Sequence, residues 1–161
     1  MSNITFRTEI LPSDPETIRS IVTSTGFFLE DEIDIAVELA EERLDKGESS
    51  GYEFIFLEAD GVTVAYSCFG LIPCTKNSFD LYWIATHHDY RNQGLGKQLL
   101  KTTEDTIKRL KGSGIYVETA SRALYTPTRQ FYEKNGYTLK AQFEDYYDKG
   151  DDLVYYVKRI C

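Results

Sequence analysis

The chain has 161 residues, a net charge of −8 and an isoelectric point near 4.8, with 42% apolar, 27% charged and 14% aromatic residues. That length suits one domain, residues 1–161, able to bury roughly two-thirds of its unfolded surface without disulfide staples. The acidity and the lack of any Lys/Arg cluster exclude a nucleic-acid binder, and the short, polar-interrupted stretch Met1–Leu11 is neither a signal peptide nor a membrane span.

Ile4, Phe6 and Thr8 alternate with polar residues, as in a strand. Pro12-Ser13-Asp14-Pro15 is a turn leading into a helix over Glu16–Thr25, stopped by Gly26. After the apolar knot Phe27-Phe28-Leu29, a second helix runs from about Asp31 to Lys46, with Ile33, Val37, Ala40 and Leu44 on one face and Gly47 closing it. Tyr52–Glu58 and Val62–Leu71 flank Asp60-Gly61, a strong hairpin signal. A loop at Pro73–Asn77 precedes the strand Phe79–Thr86, in which Phe79, Leu81, Trp83 and Ala85 point one way.

His87–Gly94 is a polar connection. A helix over about Gly94–Lys111 has Leu95, Leu99, Thr103, Ile107 and Leu110 as its buried stripe, and Gly112-Ser113-Gly114 ends it. A short strand Ile115–Thr119 follows. Thr126-Pro127 reads as an N-cap with proline behind it, opening a helix that carries Thr128–Lys134 and stops at Asn135-Gly136. Strands Tyr137–Phe143 and Leu153–Val157 flank a turn at Asp148–Asp151. The order β-α-α-β-β-β-α-β-α-β-β predicts an α+β domain with a central, mostly antiparallel twisted sheet of about seven strands and about four helices. Only the strand pair bridged by the Gly94–Lys111 helix is expected to be parallel.

The three cysteines, Cys68, Cys74 and Cys161, fit neither a disulfide scaffold nor a zinc pattern, which points to a reducing, cytoplasmic setting and to no metal. His87 and His88 are adjacent on an extended chain and point opposite ways, so they do not combine into a metal site.

Tyr90-Arg91-Asn92-Gln93-Gly94-Leu95-Gly96-Lys97 lies between a strand and a helix. Two glycines let the backbone approach a ligand, and the first turn of the helix offers unpaired N–H groups and the positive dipole end, so a diphosphate fits. A Walker loop fails because Arg91 takes its first glycine position and Gln98 its Ser/Thr, and a Rossmann fingerprint fails because Leu99 replaces its third glycine. Arg91, Gly94 and Gly96 match R/Q-x-x-G-x-G/A, the pyrophosphate loop of the GNAT acetyltransferases. Phe131-Tyr132-Glu133-Lys134-Asn135-Gly136-Tyr137 resembles the F-Y-x-x-x-G-F/Y signature of the same superfamily. The resemblance covers nearly the whole chain. Asp80-Leu81-Tyr82-Trp83-Ile84, Val117-Glu118-Thr119 and Tyr125-Thr126-Pro127-Thr128-Arg129 resemble one bacterial branch of it.

The resemblance implies direct transfer of an acetyl group from acetyl-CoA to a primary amine, without an acyl-enzyme. It assigns Arg91, Asn92, Gln93, Gly94, Leu95, Gly96 and Lys97 to the cofactor diphosphate, and Ile84, Ala85 and Thr86 to the acetyl end, where a backbone N–H near Ile84 or Ala85 would meet the acetyl oxygen. Tyr132 matches the tyrosine that protonates the departing sulfur, while Tyr125 stands where many relatives carry the Asn that touches the pantetheine arm. Glu118, in the next strand, is the candidate general base; its structural alternative is a pair with Arg122 or Arg129. Phe28, Glu30 and Tyr82 are candidates to line the acceptor pocket, although Glu30-Asp31-Glu32 also suit a helix N-terminus. The lack of an accessory segment favours a small-molecule amine. An acyl-CoA-binding module, another acyl donor or a protein acceptor are the alternatives, and the tyrosine-rich final strands offer an edge for a homodimer.

Overall fold

In the computed structural model, residues 2–160 are described, and seven strands and four α-helices follow in the expected order. These are β1 (Ile4–Arg7), α1 (Asp14–Ser24), α2 (Glu30–Lys46), β2 (Glu53–Ala59), β3 (Val62–Leu71), β4 (Ser78–Thr86), α3 (Leu95–Arg109), β5 (Gly114–Ala120), α4 (Thr126–Lys134), β6 (Thr138–Asp148) and β7 (Asp151–Arg159). The sheet order is β1-β2-β3-β4-β5-β7-β6. The β4–β5 pair, the one joined through α3, is parallel as the crossover requires; β1–β2, β2–β3, β5–β7 and β6–β7 are antiparallel.

The chain divides into two compact units, one running to Gly70 and including Trp83–Asp105, the other comprising Leu71–Tyr82 and the chain from Thr106 onward. The first is built on the β1–β2–β3 hairpins. Asp60 and Gly61 both adopt positive φ, 50° and 83°, as the two-residue turn demands. Ile18, Ile21 and Val22 of α1 and Ile33, Ala36, Val37 and Ala40 of α2 pack with Phe54, Phe56 and Tyr66. Leu44, expected on this face, is 37% exposed; it lies in the last turn of α2, while Ala36 fills a core position instead. Arg7 ties β1 to α1: its guanidinium donates to both Asp14 carboxylate oxygens at 2.7 and 2.9 Å and to Glu58 at 3.1 Å, and lies 4.4 Å from the centre of the Phe56 ring. Asp14 also accepts from the Leu11 amide at 2.7 Å, so α1 begins at Asp14, two residues before the expected start.

In the second unit, β5 lies between β4 and β7. The β4–β5 register is short: Ser78↔Gly114, Phe79↔Ile115 and Asp80↔Tyr116. Alternation sorts the side chains onto two faces. Phe79, Leu81, Ile115, Val117, Val154 and Tyr156 are buried, and Tyr132 of α4 stacks on Tyr156 with ring centroids 6.4 Å apart. Asp80, Tyr82, Tyr116, Glu118 and Tyr155 alternate with them and face the other way.

Three expectations need correction here. Leu110 is 51% exposed, because α3 ends at Arg109 and Lys111 turns left-handed. Thr126 lies inside α4 rather than capping it; Tyr125 occupies the cap, and the Thr126 hydroxyl accepts from Arg129 at 3.0 Å. β6 continues past Phe143 to Asp148, because its register with β7 is broken by bulges that carry the ladder to a tight turn at Asp148–Asp151.

Candidate active site

The corner before α3 is a sharp turn of the main chain. Asn92 and Gly94 both take positive φ, 63° and 75°, which turns the chain sharply into the helix. The first α3 bond at this end runs from the Gln98 amide to the Gly94 carbonyl at 3.2 Å, so the N–H groups of Leu95, Gly96 and Lys97 precede any helical acceptor. A Cβ at Gly94 would meet nothing within 4 Å, which leaves open space beside these donors. Helices α1 and α2 carry acids in their first turns, Asp14 and Glu16 in one and Glu30, Asp31 and Glu32 in the other. Helix α3 has none and carries Lys97 there instead. A cation at a helix N-terminus opposes the dipole unless an anion joins it. Arg91 is exposed beside this corner, 3.5 Å from His88 Nε2, and the His88 amide donates to Ser24 at 3.0 Å. His87 accepts from the Asp89 amide at 3.1 Å through Nδ1, and that turn holds the corner.

Ile84, Ala85 and Thr86 form the end of β4, with Ala85 buried in the core of the first unit. In the same unit, Phe28 lies with its ring 4.9 Å from that of Trp83. Glu30 is largely exposed and lies 4.0 Å from Arg19, which also pairs with Asp34 at 3.0 Å. Glu32 accepts from the Leu29 amide at 3.0 Å as a capping residue, so these acids serve the start of α2.

Tyr132 is 5% exposed, in edge contact with Phe131 and Tyr137 and stacked on Tyr156. Burial pushes its phenol well above the ordinary value, so it keeps its proton at neutral pH. Glu118 lies on the opposite face of β5 and β7, because it pairs in register with Tyr155 whereas Tyr132 stacks on Tyr156. The two candidate catalytic residues are therefore not brought together on one face. Glu118 is engaged by two tyrosine hydroxyls. Its Oε1 accepts from Tyr147 at 2.9 Å and its Oε2 from Tyr155 at 3.2 Å. Burial, then the charge of Glu118, pushes the Tyr155 phenol up to about 12, and burial raises that of Tyr147 still further. Arg129 instead donates to the carbonyls of Ala120 and Arg122, and Arg122 pairs with Asp151 at 3.7 Å.

Three residues were missed in the sequence: Asp80, Tyr147 and Tyr155. Asp80 is half-buried on the Glu118 face and bonded to Tyr82; burial, then the charge of Glu118, raises its carboxyl above the usual range. The available signal was an acid inside an apolar strand, two residues before Tyr82. Among the described residues, no group of His, Cys, Asp or Glu is arranged to hold a metal, and no helix is long and apolar enough to cross a membrane. Cys68 is buried and Cys74 exposed, neither in a disulfide; Cys161 lies outside the described residues.

The α+β fold, with its parallel β4–β5 pair and a glycine-turned corner before the intervening helix, defines the class of protein. The model of the acetyltransferase (GNAT) domain matches residues 50–139, and the chain belongs to that family. A GNAT-family protein from Desulfovibrio desulfuricans is 36% identical and superposes with a TM-score of 0.95 over 99% of this chain and 100% of that one. The ribosomal-protein-S18-alanine N-acetyltransferase of Escherichia coli is 20% identical, with a TM-score of 0.75 over 98% and 94% of the two chains. YncA of Salmonella typhimurium, solved with acetyl-CoA, is likewise 20% identical with a TM-score of 0.75 over 99% and 95%. No curated protein sequence matches the chain.

Proposed function

We propose that this chain transfers the acetyl group of acetyl-CoA directly to a primary amine, that of a small molecule. The observation that carries the reading is the α3 corner: open space at Gly94, unpaired amides of Leu95, Gly96 and Lys97, and a first turn that is cationic. Arg91, Asn92 and Gln93 complete the diphosphate grip, and acetyl-CoA in the related fold of YncA supports the choice of ligand. A backbone N–H of Ile84, Ala85 or Thr86 polarises the thioester carbonyl. The amine attacks that carbon, the C–S bond breaks, and the Tyr132 hydroxyl donates to the departing thiolate. Phe28, Glu30 and Tyr82 are each candidates to contact the acceptor. No metal and no nucleic acid take part, and the reaction belongs to the cytoplasm.

The test is Gly94→Val. A branched side chain fills the open space and is strained at a φ of 75°, so CoA affinity should fall at least a hundredfold in calorimetry while circular dichroism stays unchanged. Unaltered affinity would refute the assignment. Tyr132→Phe should bind CoA normally and lower kcat about ten- to a hundredfold. Two copies pairing along β6, where Leu139, Phe143, Tyr146 and Tyr147 are exposed, would form the dimer, and sedimentation would detect it.

A further inference from the structure

Tyr125-Thr126-Pro127-Thr128-Arg129 opens α4, and the reaction above makes no use of it. The helix has only 9 residues, too few to persist by itself, so its place depends on what it is fastened to. Its cap, Tyr125, makes no side-chain cap bond, and its first turn holds no acid. Arg129 stands near that end, where a cation opposes the helix dipole and does nothing for the helix alone. Its contacts explain it. Nη1 donates to the carbonyls of Ala120 at 2.7 Å and Arg122 at 3.0 Å, and Nη2 donates to the Thr126 hydroxyl at 3.0 Å. Ala120 is the last residue of β5 and is buried, so the half-buried guanidinium satisfies carbonyls where that strand stops. A lysine presents one nitrogen and cannot fill such a fork.

Tyr132 lies three residues beyond Arg129, about one helical turn further along α4. Its ring stacks on Tyr156 of β7. Tyr156 is held by the same helix, because its hydroxyl is hydrogen-bonded to Glu133, the residue after Tyr132. Burial, then the charge of Glu133, raises the Tyr156 phenol, and the Arg129 guanidinium lowers it. The far end of α4 is fastened separately: Lys158 of β7 donates to the Asn135 carbonyl at 2.9 Å. Tyr132 therefore sits between two fastenings, and Arg129 supplies the one on β5.

We infer that Arg129 is a positioning residue for Tyr132: by fastening the start of α4 to the end of β5, it fixes where the Tyr132 hydroxyl meets the departing sulfur. In that step the Tyr132 O–H bond breaks and an S–H bond forms, and the phenolate takes back the proton that the acylated nitrogen gives up. Displacing a reacting group by about 1 Å is enough to cost rate heavily, so the fastening matters to the chemistry and not only to the fold. This rests on the amine-acetyltransferase reading.

The experiment is a double-mutant cycle on the full chain, with acetyl-CoA and the best acceptor from a panel of alkyl diamines, amino sugars and amino-acid amides. The four proteins are the wild type, Arg129→Lys, Tyr132→Phe and the two changes together, each with its CoA affinity by calorimetry and its circular dichroism. Arg129→Lys should lower kcat about tenfold with CoA affinity unchanged. In the Tyr132→Phe background the same change should cost less than about twofold, because the donor it aims is already gone. Thr126→Val frees one arm of the guanidinium with little risk to folding; it should lower kcat about two- to threefold, again only where Tyr132 is present. Equal losses in both backgrounds, the mark of a helix that is merely loosened, would overturn the assignment, as would a wild-type kcat in Arg129→Lys. CoA binding by the wild type without turnover of any amine would overturn the acetyltransferase reading and the role of Arg129 with it. That outcome is distinct from equal losses in an active enzyme, which strike Arg129 alone.

Discussion

Asp14 and Asp80 are both aspartates withdrawn from water, and their surroundings differ in kind. Asp14, 1% exposed, accepts two hydrogen bonds from Arg7 and one from the Leu11 amide, and the Arg7 guanidinium also reaches Glu58. Asp80 has a tyrosine and a second carboxylate. The first arrangement neutralises its charges and joins β1 to α1. The second leaves like charges together, a condition that costs stability and persists in folded proteins mainly where a ligand relieves it.

The sharpest way to break this contrast is Arg7→Ala. It strands the Asp14 charge in a dry site and should cost about 3–5 kcal/mol in a denaturant titration. A loss under 1 kcal/mol would mean that Asp14 tolerates isolation as Asp80 does. The hydroxyls sharpen the same point. Those of Tyr147 and Tyr155 have Glu118, whereas the buried Tyr66 hydroxyl has no hydrogen-bond partner among the described residues. Tyr66→Phe removes an unsatisfied group without changing the packing and should stabilise by about 1 kcal/mol. Destabilisation would show that the hydroxyl has a bonding role. The smallest effect is expected from Asp80→Asn. A carboxyl whose folded value lies above its unfolded one loses stability as pH rises through the interval between them. The asparagine variant escapes that loss, so at pH 7 it should be as stable as the wild type or more so, by under about 1 kcal/mol, with the difference vanishing in acid below the ordinary carboxylate range. A marked loss of stability at pH 7 would place Asp80 with Asp14.

Much of the fold was legible because its signals are local. Asp60-Gly61 specified its hairpin, the 3.6-residue spacing of Ile33, Val37 and Ala40 found the buried face of α2, and Gly94 and Gly96 located the corner before α3. The errors fell where neighbours in space override pattern. Leu44 and Leu110 continue a helical spacing beyond the part of the helix that is covered, and Thr126 looks like a cap until Arg129 is seen to engage its hydroxyl. The site divides in the same way. Arg91–Lys97 and Tyr132 could be nominated from sequence because each lies within one contiguous stretch.

The amino-acid order by itself determined the element sequence and the glycine-turned corner, since each depends on residues a few positions apart. Only the tertiary structure decided the partners of Glu118 and the exposure of Asp80. Tyr147 and Tyr155 lie 29 and 37 residues from Glu118, and only the pairing of β5 with β7, and of β7 with β6, brings them to it. Side-chain chemistry is carried by residue identity, but whether a charge is paired depends on strand register, which no short stretch of sequence records.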